Sequence, residues 1–293
     1  MSYIQFIKQG MHTSVQDAGR KNCAIYGIPE SGYMDAISAN MANYLVGNPE
    51  GNSIIECSYI GPKISFGKNF IVALTGADMN WKVDGNSVPR YTSLYIQQDS
   101  VLSGTAAVTG VRAYIAIQGE WDVTEDFGSS STYVNAGYGA QNGQLIKKGD
   151  KLNFNKQRSK WDFRYIPDEE KPKLKAVKYI PLHRGPDWHL LNQRSKECFI
   201  RDKWSIGSDS DRMAAPLLGH QVTLKMKVEL ASTPVFPGII QLPNDGKPIL
   251  LLQDCQTTGG YPRIAYISKK SLSVFNQIRP DEEFYFYFVP EIK

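Results

Sequence analysis

The chain has 293 residues, of which 42% are hydrophobic and 21% are charged, and its formal net charge at pH 7 is +4. This length is too great for one typical domain and suits two. Lysines and arginines are spread along the chain, which excludes the basic patch expected of a nucleic-acid-binding protein. No apolar run approaches the roughly 20 residues that a helix needs to span a bilayer, so no membrane partner is predicted.

The cysteines and the N-terminus favour a cytoplasmic protein. Cys23, Cys57, Cys198 and Cys255 are widely separated and form no C-x-x-C motif, a pattern typical of reduced thiols. The first residues lack the basic and apolar regions of a secretory signal peptide. The four histidines show no ligand spacing, so the sequence predicts no metal site.

The chain begins with a predicted strand, a polar loop and a helix. The segment Tyr3 to Ile7 has the alternation of a strand, and the polar loop runs from Thr13 to Arg20. A helix is predicted from about Asp35 to Val46, because Asp35 can cap its N-terminus and a glycine follows its C-terminus. Asn43 lies toward a second face of this helix, where it either binds a ligand or anchors a loop.

Residues 53 to about 155 show a β pattern. Short segments rich in β-branched and aromatic residues are separated by Gly, Pro and Asp turn signals. The predicted strands are Ser53 to Tyr59, Lys63 to Phe66, Phe70 to Thr75, Trp81 to Val83, Leu94 to Gln97, Arg112 to Gln118 and Gln144 to Phe154. Many short and closely spaced strands indicate an antiparallel barrel or sandwich. Two loops of this half carry polar clusters, Thr75 to Asp78 and Phe127 to Thr132.

A charged stretch separates the two halves of the chain. From about residue 156 to 176 the sequence is rich in Lys, Asp and Glu and contains two prolines. This composition is typical of a linker. The predicted organisation is an N-terminal domain at residues 1–160, a linker at 161–176 and a C-terminal domain at 177–293.

The second half is also predicted to be rich in strands. A short helix is predicted around Trp188 to Asn192. The predicted strands are Lys178 to Leu182, Gln221 to Leu230, Ile239 to Leu242, Ile249 to Leu252, Arg263 to Ile267 and Glu283 to Val289. The fold class predicted for the whole chain is therefore mainly β with a few short helices.

One strand of this half leads into a glycine-pair loop, which is the strongest candidate site in the sequence. After the apolar run Ile249 to Leu252, the polar segment contains Asp254, Gln256, Thr257, Thr258, Gly259, Gly260 and Tyr261. Two adjacent glycines allow positive φ and leave backbone N–H groups uncovered. Such donors beside a carboxylate and hydroxyls can hold a small polar substrate or an oxyanion. A Gly-Gly hairpin with polar tips is the structural alternative.

Several known catalytic signatures are absent from the sequence. It contains no G-x-S-x-G elbow, no G-x-x-x-x-G-K-[ST] loop and no G-x-G-x-x-G after a strand. An ATP site on this chain would therefore be unconventional. The segment Lys225 to Lys227 alternates like an ordinary strand, so no covalently attached biotin is predicted on this chain.

The order and spacing of several short motifs carry a family resemblance. The matching segments are Thr13 to Arg20, Gly27 to Asp35, Ala42 to Pro49, Leu74 to Asp78, Arg112 to Tyr114, Gly128 to Thr132, Ser210 to Met213 and Pro243 to Pro262. Together they resemble the biotin-dependent carboxyltransferase-like family that contains the C subunit of 5-oxoprolinase and the second subunit of allophanate hydrolase. The carboxyltransferase domain of urea amidolyase and an antagonist of a sporulation histidine-kinase inhibitor are related to this family.

The resemblance implies a fold, a reaction and partners. The fold would be two β-barrel domains of the cyclophilin-like type. The chain would be the C subunit of an ATP-dependent 5-oxoprolinase, which opens 5-oxo-L-proline to L-glutamate together with the A and B subunits and is inactive alone. ATP is the implied cofactor, bound either by this chain or by a partner.

The candidate site residues come from both predicted domains. Asp254 and Asp17 are candidate acid/base or orienting carboxylates, and Arg212 and Arg20 are candidate anion holders. The residues expected to form the N-terminal side of a cleft are Gln16, Asp17, Arg20, Ser31, Asp35 and Asn43. The structural alternatives are loop caps for the carboxylates and salt bridges for the arginines.

The sequence departs from the family pattern at several basic positions. Cys255 stands where an arginine is frequent, and Ala214 and Ala215 follow Met213 where a glycine and an arginine are usual. Two further functions stay open at this point. One is carboxyl transfer in the urea and allophanate pathway, and the other is non-catalytic binding of a histidine-kinase inhibitor.

Overall fold

The computed structural model describes residues 2–156, 162–174, 179–226, 228–280 and 282–289. The chain forms two compact units. Unit 1 comprises Met1–Lys21 and Ser31–Lys175, and unit 2 comprises Asn22–Glu30 and Ala176–Lys293. The short segment of residues 22–30 therefore belongs with the C-terminal part of the chain. The domain and linker boundaries suggested by composition stay predictions.

Unit 1 is built from two antiparallel sheets. Its strands are β1 (Ser2–Lys8), β2 (Ser14–Gln16), β3 (Ile54–Ser58), β4 (Lys63–Phe66), β5 (Phe70–Asp78), β6 (Lys82–Val83), β7 (Asn86–Ser87), β8 (Ser93–Ile96), β9 (Val101–Ser103), β10 (Thr109–Ile117), β11 (Glu120–Asp122) and β12 (Lys151–Lys156). The seven-stranded sheet has the order β11-β12-β1-β4-β9-β6-β7, and the five-stranded sheet has the order β2-β3-β10-β5-β8.

The main core of unit 1 is drawn from both sheets. Alternate residues of each strand share one face, so β1 contributes Ile4 and Phe6 while β10 contributes Ala113, Ile115 and Ile117. All five side chains are fully buried in one apolar cluster. Burial of apolar surface between facing sheets is the main stabilising term for this kind of architecture.

In the described residues of unit 1, an α-helix covers the other face of the five-stranded sheet. Helix α1 (Ala36–Val46) packs Ala39, Ala42 and Leu45 in one cluster with Ala116 of β10. The predicted helix is confirmed with both of its ends. The Asp35 side chain caps the N-terminus and Gly47, at φ +73°, ends the helix.

Part of the predicted linker belongs to unit 1 and forms backbone hydrogen bonds there, near β8. The Ser93 N–H donates to the Arg164 carbonyl at 2.8 Å, and the Ile166 N–H donates to the Tyr91 carbonyl at 2.9 Å. Ile166 is buried in the cluster beneath α1. Residues 161, 175 and 176 of the predicted linker lie outside the described residues.

The described residues of unit 2 form one large sheet, one small sheet and two short α-helices. Its elements are β13 (Tyr179–Arg184), α2 (Gln193–Arg201), β14 (Ser205–Ile206), β15 (Ala214–Leu218), β16 (Thr233–Pro234), β17 (Ile239–Gln241), β18 (Ile249–Leu251), β19 (Thr258–Gly259), β20 (Arg263–Tyr266), α3 (Lys269–Phe275) and β21 (Tyr285–Phe288). The large sheet has the order β14-β15-β18-β17-β20-β13-β21, and β16 pairs with β19. Its strands are antiparallel except for the parallel pair β13 and β21.

Short 3₁₀-helices complete the described elements. They span Ala24–Tyr26, Ala140–Gly143 and Trp188–Leu190. The last of these lies within the helix predicted around Trp188 to Asn192. In the described part of the chain, no helix is both long and apolar enough to cross a membrane.

The fold class is confirmed as mainly β with a few short helices. One predicted strand is wrong: Gln221 to Leu230 forms only an isolated bridge, between Leu224 and Leu191, in its described residues. Lys227, and Lys178 at the start of another predicted strand, lie outside those residues. Exposed polar residues can alternate with apolar ones without any partner strand, which explains the error.

Candidate functional site

The Asp17 carboxylate is surrounded by hydrogen-bond donors within unit 1. Its Oδ1 atom accepts from Gly19 N at 2.8 Å, Ser129 Oγ at 2.6 Å and Ser131 Oγ at 2.7 Å. Its Oδ2 atom accepts from Ser130 N at 2.7 Å and Ser130 Oγ at 3.2 Å. The three serines are fully buried. Asp17 therefore ties the serine loop, Ser129–Ser131, to the segment that follows β2.

Gln16 and Arg20 fix the same loop by its backbone. The Gln16 amide nitrogen donates to the Thr132 carbonyl at 3.1 Å, and Arg20 Nη2 donates to the Ser131 carbonyl at 2.6 Å. The Arg20 guanidinium also lies over the ring of Tyr138, 5.8 Å from its centroid. The structure thus brings Gln16, Asp17 and Arg20 together, around a loop that carries three hydroxyl groups.

Two other predicted residues of unit 1 have contacts that stabilise helix α1 and its surroundings. Asp35 accepts from Ser38 N at 3.0 Å and from Ser38 Oγ at 2.6 Å, as an N-cap residue does. The Asn43 amide donates to the Asn52 carbonyl at 2.9 Å. Both side chains are buried. Their contacts are those of a helix cap for Asp35 and of a loop anchor for Asn43, which are the structural alternatives given above.

Ser31 has an unusual environment for a polar residue. It is buried, and its backbone φ is +55°, a conformation uncommon for residues other than glycine. In the described part of the chain its hydroxyl has no hydrogen-bond partner. A buried hydroxyl without a partner is costly and is frequent at functional positions.

A buried glutamate in unit 1 was not predicted from the sequence. Glu56 Oε2 accepts from Met34 N at 2.9 Å and from the Tyr114 hydroxyl at 2.8 Å. Burial, with the nearby Glu56 and Asp35 charges, raises the pKa of Tyr114 well above its usual value. Tyr114 thus stays a neutral donor at physiological pH. In the sequence, the only feature that could have indicated a buried polar site here is the position of Glu56 within an otherwise mainly apolar strand.

Unit 2 holds an ion pair between two of the predicted site residues. Arg212 Nε donates to Asp254 Oδ2 at 2.8 Å, and Arg212 Nη2 donates to Asp254 Oδ1 at 3.2 Å. The Asp254 side chain is 7% exposed and that of Arg212 is 20% exposed. This two-point geometry is the strongest form of arginine–carboxylate contact. We call it the Arg212–Asp254 pair.

Backbone pairing explains why these two residues meet although 42 positions separate them. Strands β15 and β18 are antiparallel, and their pairing continues as the Leu252 N–H donates to the Met213 carbonyl at 2.8 Å. The Asp254 N–H then donates to the Arg212 carbonyl, also at 2.8 Å. Main-chain register therefore places the guanidinium beside the carboxylate.

Two amide side chains lie in the same region of unit 2. Gln256 Nε2 donates to Gln241 Oε1 at 3.3 Å, and Gln241 Nε2 donates to the Tyr261 carbonyl at 3.4 Å. Gln241 is buried, whereas Gln256 is exposed. Gln241 was not predicted, because it ends an apolar strand and no sequence pattern links it to residue 256.

The predicted glycine-pair bend is wrong in its backbone conformation. Neither Gly259 nor Gly260 has a positive φ, and Gly259 lies in β19, paired with Thr233. A Cβ atom at position 259 would lie 2.6 Å from Gln241 Nε2. The absence of a side chain at Gly259 therefore allows the close approach of that amide, as glycines in strands frequently do.

The threonines and the tyrosine of this loop are placed around the small sheet. The Thr257 carbonyl accepts from Val235 N at 2.9 Å, and Thr258 pairs with Pro234. The side chains of Thr258 and Tyr261 are exposed. Thr257 thus contributes its backbone to the pairing, while Thr258 and Tyr261 are available to a ligand.

Cys255 lies between Asp254 and Gln256 but points into the core. It is buried with Val235, Ile239 and Leu251. Burial, reinforced by the neighbouring Asp254 charge, raises the pKa of the Cys255 thiol to about 12. A thiol in this state is not a nucleophile near neutral pH.

Comparisons with known proteins identify relatives along nearly the whole chain. Residues 26–288 match the family model described as carboxyltransferase domain, subdomain A and B. The chain is 34% identical to the C subunit of 5-oxoprolinase from Escherichia coli over 275 residues, which cover 94% of this chain and 87% of that protein. It is 29% identical to the C subunit of the Haemophilus influenzae 5-oxoprolinase over 94% of this chain and 88% of that one.

A solved structure shares the fold. The crystal structure of the Kluyveromyces lactis urea amidolyase matches 98% of this chain with a TM-score of 0.93 and 25% identity. The match covers 19% of the amidolyase chain, so the likeness concerns one part of that larger protein. Together with the family match, these similarities show that the chain belongs to the carboxyltransferase domain family, subdomains A and B.

Proposed function

We propose that the chain is the C subunit of an ATP-dependent 5-oxoprolinase, which opens 5-oxo-L-proline to L-glutamate together with partner proteins. The observation that carries the proposal is the 34% identity to the Escherichia coli protein, because it extends over 94% of this chain and 87% of that protein. On this proposal the chain works with homologues of the A and B subunits and has no turnover alone.

The chemistry of lactam opening defines what the site must supply. A lactam carbonyl is a poor electrophile, and transfer of a phosphoryl group from ATP to its oxygen creates a leaving group. Water then attacks the activated carbon, and the ring C–N bond breaks as the ring nitrogen takes a proton. A second water molecule cleaves the resulting acyl phosphate, which releases inorganic phosphate and leaves the carboxylate of glutamate. Such a sequence needs a group that moves protons and a cation that holds negatively charged oxygens.

The Arg212–Asp254 pair offers both groups within unit 2. Arg212 is the candidate holder of a carboxylate or phosphate oxygen, for which guanidinium geometry is well suited. When an incoming anion takes over one of its N–H donors, Asp254 is released to orient water or accept a proton. Arg212 is partly exposed, which supports its access to a ligand.

The neighbouring amides suit a substrate that itself contains an amide. Gln256 donates one N–H to Gln241 and is exposed, and its side-chain amide also carries a carbonyl oxygen that can act as an acceptor. A lactam N–H can donate to that oxygen. The Gln241 Nε2 atom donates to the Tyr261 carbonyl, and this bond orients Gln241 so that its Oε1 atom accepts from Gln256.

The test is co-expression with the A and B subunits of a 5-oxoprolinase and measurement of ADP and glutamate formed from 5-oxo-L-proline. Asp254→Asn is expected to lower turnover by at least about 100-fold, the usual contribution of a positioned acid or base. Asp187→Asn is the matched control, because Asp187 pairs with Arg263 at 3.3 Å in the same unit and is similarly buried. Normal turnover by Asp254→Asn in an intact complex would contradict the assigned role.

Carboxyl transfer to urea is a second candidate. It is favoured by the structural match to urea amidolyase, which covers 98% of this chain. On this alternative, the chain would act with a biotin carrier on a partner and would form no glutamate from 5-oxo-L-proline. Assay of the same complex with urea and a carboxylated biotin carrier separates the two.

A further inference from the structure

We propose that unit 2 contains a site for a divalent transition metal such as Zn²⁺, held by Cys198, Asp202 and His220. One potential ligand atom from each residue lies within 4.8 Å of the others. Thiolate, carboxylate and imidazole form a donor set that suits Zn²⁺, which takes tetrahedral coordination with sulfur, nitrogen and oxygen ligands. The Arg212–Asp254 pair and the proposed function play no part in this inference.

Helix α2 places the first two ligands. Cys198 lies in the last part of the helix and Asp202 caps its C-terminus, with the Asp202 N–H donating to the Cys198 carbonyl. Residues four positions apart project from the same side of a helix, so the thiol and the carboxylate face one space. Cys198 and Asp202, four residues apart at the end of α2, can therefore bind the same metal ion.

The strand pairing that follows the helix brings in the third ligand. Ser205 and Ile206 of β14 pair with Leu218 and Leu217 of β15, so residues just before β14 run beside residues just after β15. His220 belongs to that second segment, and its Nδ1 atom lies 3.9 Å from Asp202 Oδ2.

A glycine fixes the tight approach of these two segments. A Cβ atom at Gly219 would lie 2.7 Å from the Trp204 ring and 2.9 Å from the Lys203 carbonyl. The segment that carries His220 can therefore lie close to the helix end only because residue 219 lacks a side chain.

The guanidinium group of Arg201 contacts two of the three proposed ligands. Arg201 Nε donates to Asp202 Oδ1 at 3.2 Å, and Arg201 Nη2 contacts Cys198 Sγ at 3.8 Å. The Arg201 side chain is 74% exposed, so it can swing into solvent when a metal takes its place. Binding then transfers the Cys198 thiol proton to solvent, and the two anionic ligands balance the charge of a divalent ion.

A metal ion can reach the three ligands from the side on which Asp202 and His220 are partly exposed. Cys198 is buried, whereas the Asp202 and His220 side chains are partly exposed. His220 also lines a cavity of about 370 Å³, together with Leu217, Asp245 and Lys247. Three protein ligands leave a fourth position for water on the cavity side, as in zinc sites that are not closed.

The experiment is titration of the metal-free chain with Co²⁺, which reports tetrahedral thiolate coordination through its visible and thiolate charge-transfer absorption. We expect one equivalent to bind, with Zn²⁺ displacing it. Cys198→Ser should abolish the charge-transfer band, and His220→Asn should weaken binding by at least about tenfold. His189→Asn is the matched control, because His189 lies on a different element with its Nδ1 near the Pro186 carbonyl.

A fourth variant keeps the proposal falsifiable if Cys198→Ser folds poorly. Arg201→Ala should bind Co²⁺ more tightly than the wild type, because the guanidinium and the metal compete for the same two ligand atoms. Absence of the thiolate band in the wild type, or its persistence in Cys198→Ser, would overturn the assignment. Unchanged affinity in Arg201→Ala, or equal loss in His189→Asn, would also overturn it.

Discussion

Asp17 in unit 1 and Asp254 in unit 2 both follow a strand and both looked catalytic in the sequence, yet their surroundings differ. Five hydrogen bonds from neutral donors surround the Asp17 carboxylate. The Asp254 carboxylate is instead held at two points by a single, partly exposed guanidinium. The same residue type is thus a fixed anchor in one unit and an exchangeable partner in the other.

The number and kind of hydrogen-bond donors around a carboxylate decide whether it can exchange partners during a reaction. A carboxylate whose lone pairs are all used by buried donors cannot take a substrate proton without breaking the loop that it organises. A carboxylate paired with one arginine can exchange that partner for an incoming anion. We therefore propose Asp254, and not Asp17, as the carboxylate that takes part in the chemistry, while Asp17 orders the serine loop.

The largest expected effect on stability is that of Asp17→Ala. The variant should lower the free energy of unfolding by about 3–5 kcal/mol, since hydrogen bonds to a charged group contribute about 1.5–3 kcal/mol each and are not additive. Asp84→Ala is a control of smaller effect, because Asp84 accepts one exposed bond, from Val101 N. Urea unfolding measures both. A loss below about 1 kcal/mol in Asp17→Ala would contradict the anchor role.

The next effect concerns the Arg212–Asp254 pair. Asp254→Ala should cost about 2–4 kcal/mol, less than for a fully buried pair, because it removes the carboxylate that holds the Arg212 guanidinium at two points. The double variant Arg212→Met/Asp254→Leu should recover most of this loss, since apolar replacements of both partners frequently restore stability. Urea unfolding of the two variants tests this. Equal loss in the single and double variants would show that the pair is not the source of the effect.

A smaller effect is expected at the glycine pair. Gly259→Ala should lower stability by about 1–3 kcal/mol, because the new Cβ would lie 2.6 Å from the buried Gln241 amide. Gly260→Ala is the matched control, since its Cβ would lie 3.3 Å from the nearest atom, the Leu230 carbonyl oxygen. Thermal unfolding should separate the two variants. Identical melting temperatures would refute the close-approach explanation.

The smallest effect is a pH dependence from Cys255. Below the unfolded thiol pKa of about 8.5 the group is protonated in both states, and its contribution to stability is fully present. As pH rises from there toward the folded pKa of about 12, the unfolded chain loses the proton first, and the free energy of unfolding falls. Cys255→Ala should flatten this decline. Urea unfolding from about pH 8 to 10 checks it, and parallel curves for both proteins would contradict it.

Local signals in the sequence were enough for part of the fold. Strand β4 and helix α1 were predicted with nearly correct bounds, because clear alternation marks the strand and Asp35 and Gly47 mark the helix ends. Helix α2 was missed, since its only buried apolar side chains are the neighbours Cys198 and Phe199. Strand β15 was missed because a proline occupies its middle.

The candidate site was predicted as residues but not as contacts. Arg212 and Asp254 were named separately, and only the pairing of β15 with β18 brings them together. Gln241 could not be predicted, because its contact with Gln256 depends on strands that are distant in sequence. The register between strands that are distant in sequence is set when the sheet forms, and it could not be inferred from the residue types alone.

The most direct test of the central claim is ADP and glutamate formation by two complexes that differ in which ion pair is replaced. One carries Arg212→Met/Asp254→Leu and the other carries Arg263→Met/Asp187→Leu, which removes the matched pair of unit 2. We expect the first complex to assemble and to form no glutamate above background, while the second keeps most of its turnover. Wild-type turnover in the first complex would contradict the assignment of chemistry to Asp254 and Arg212.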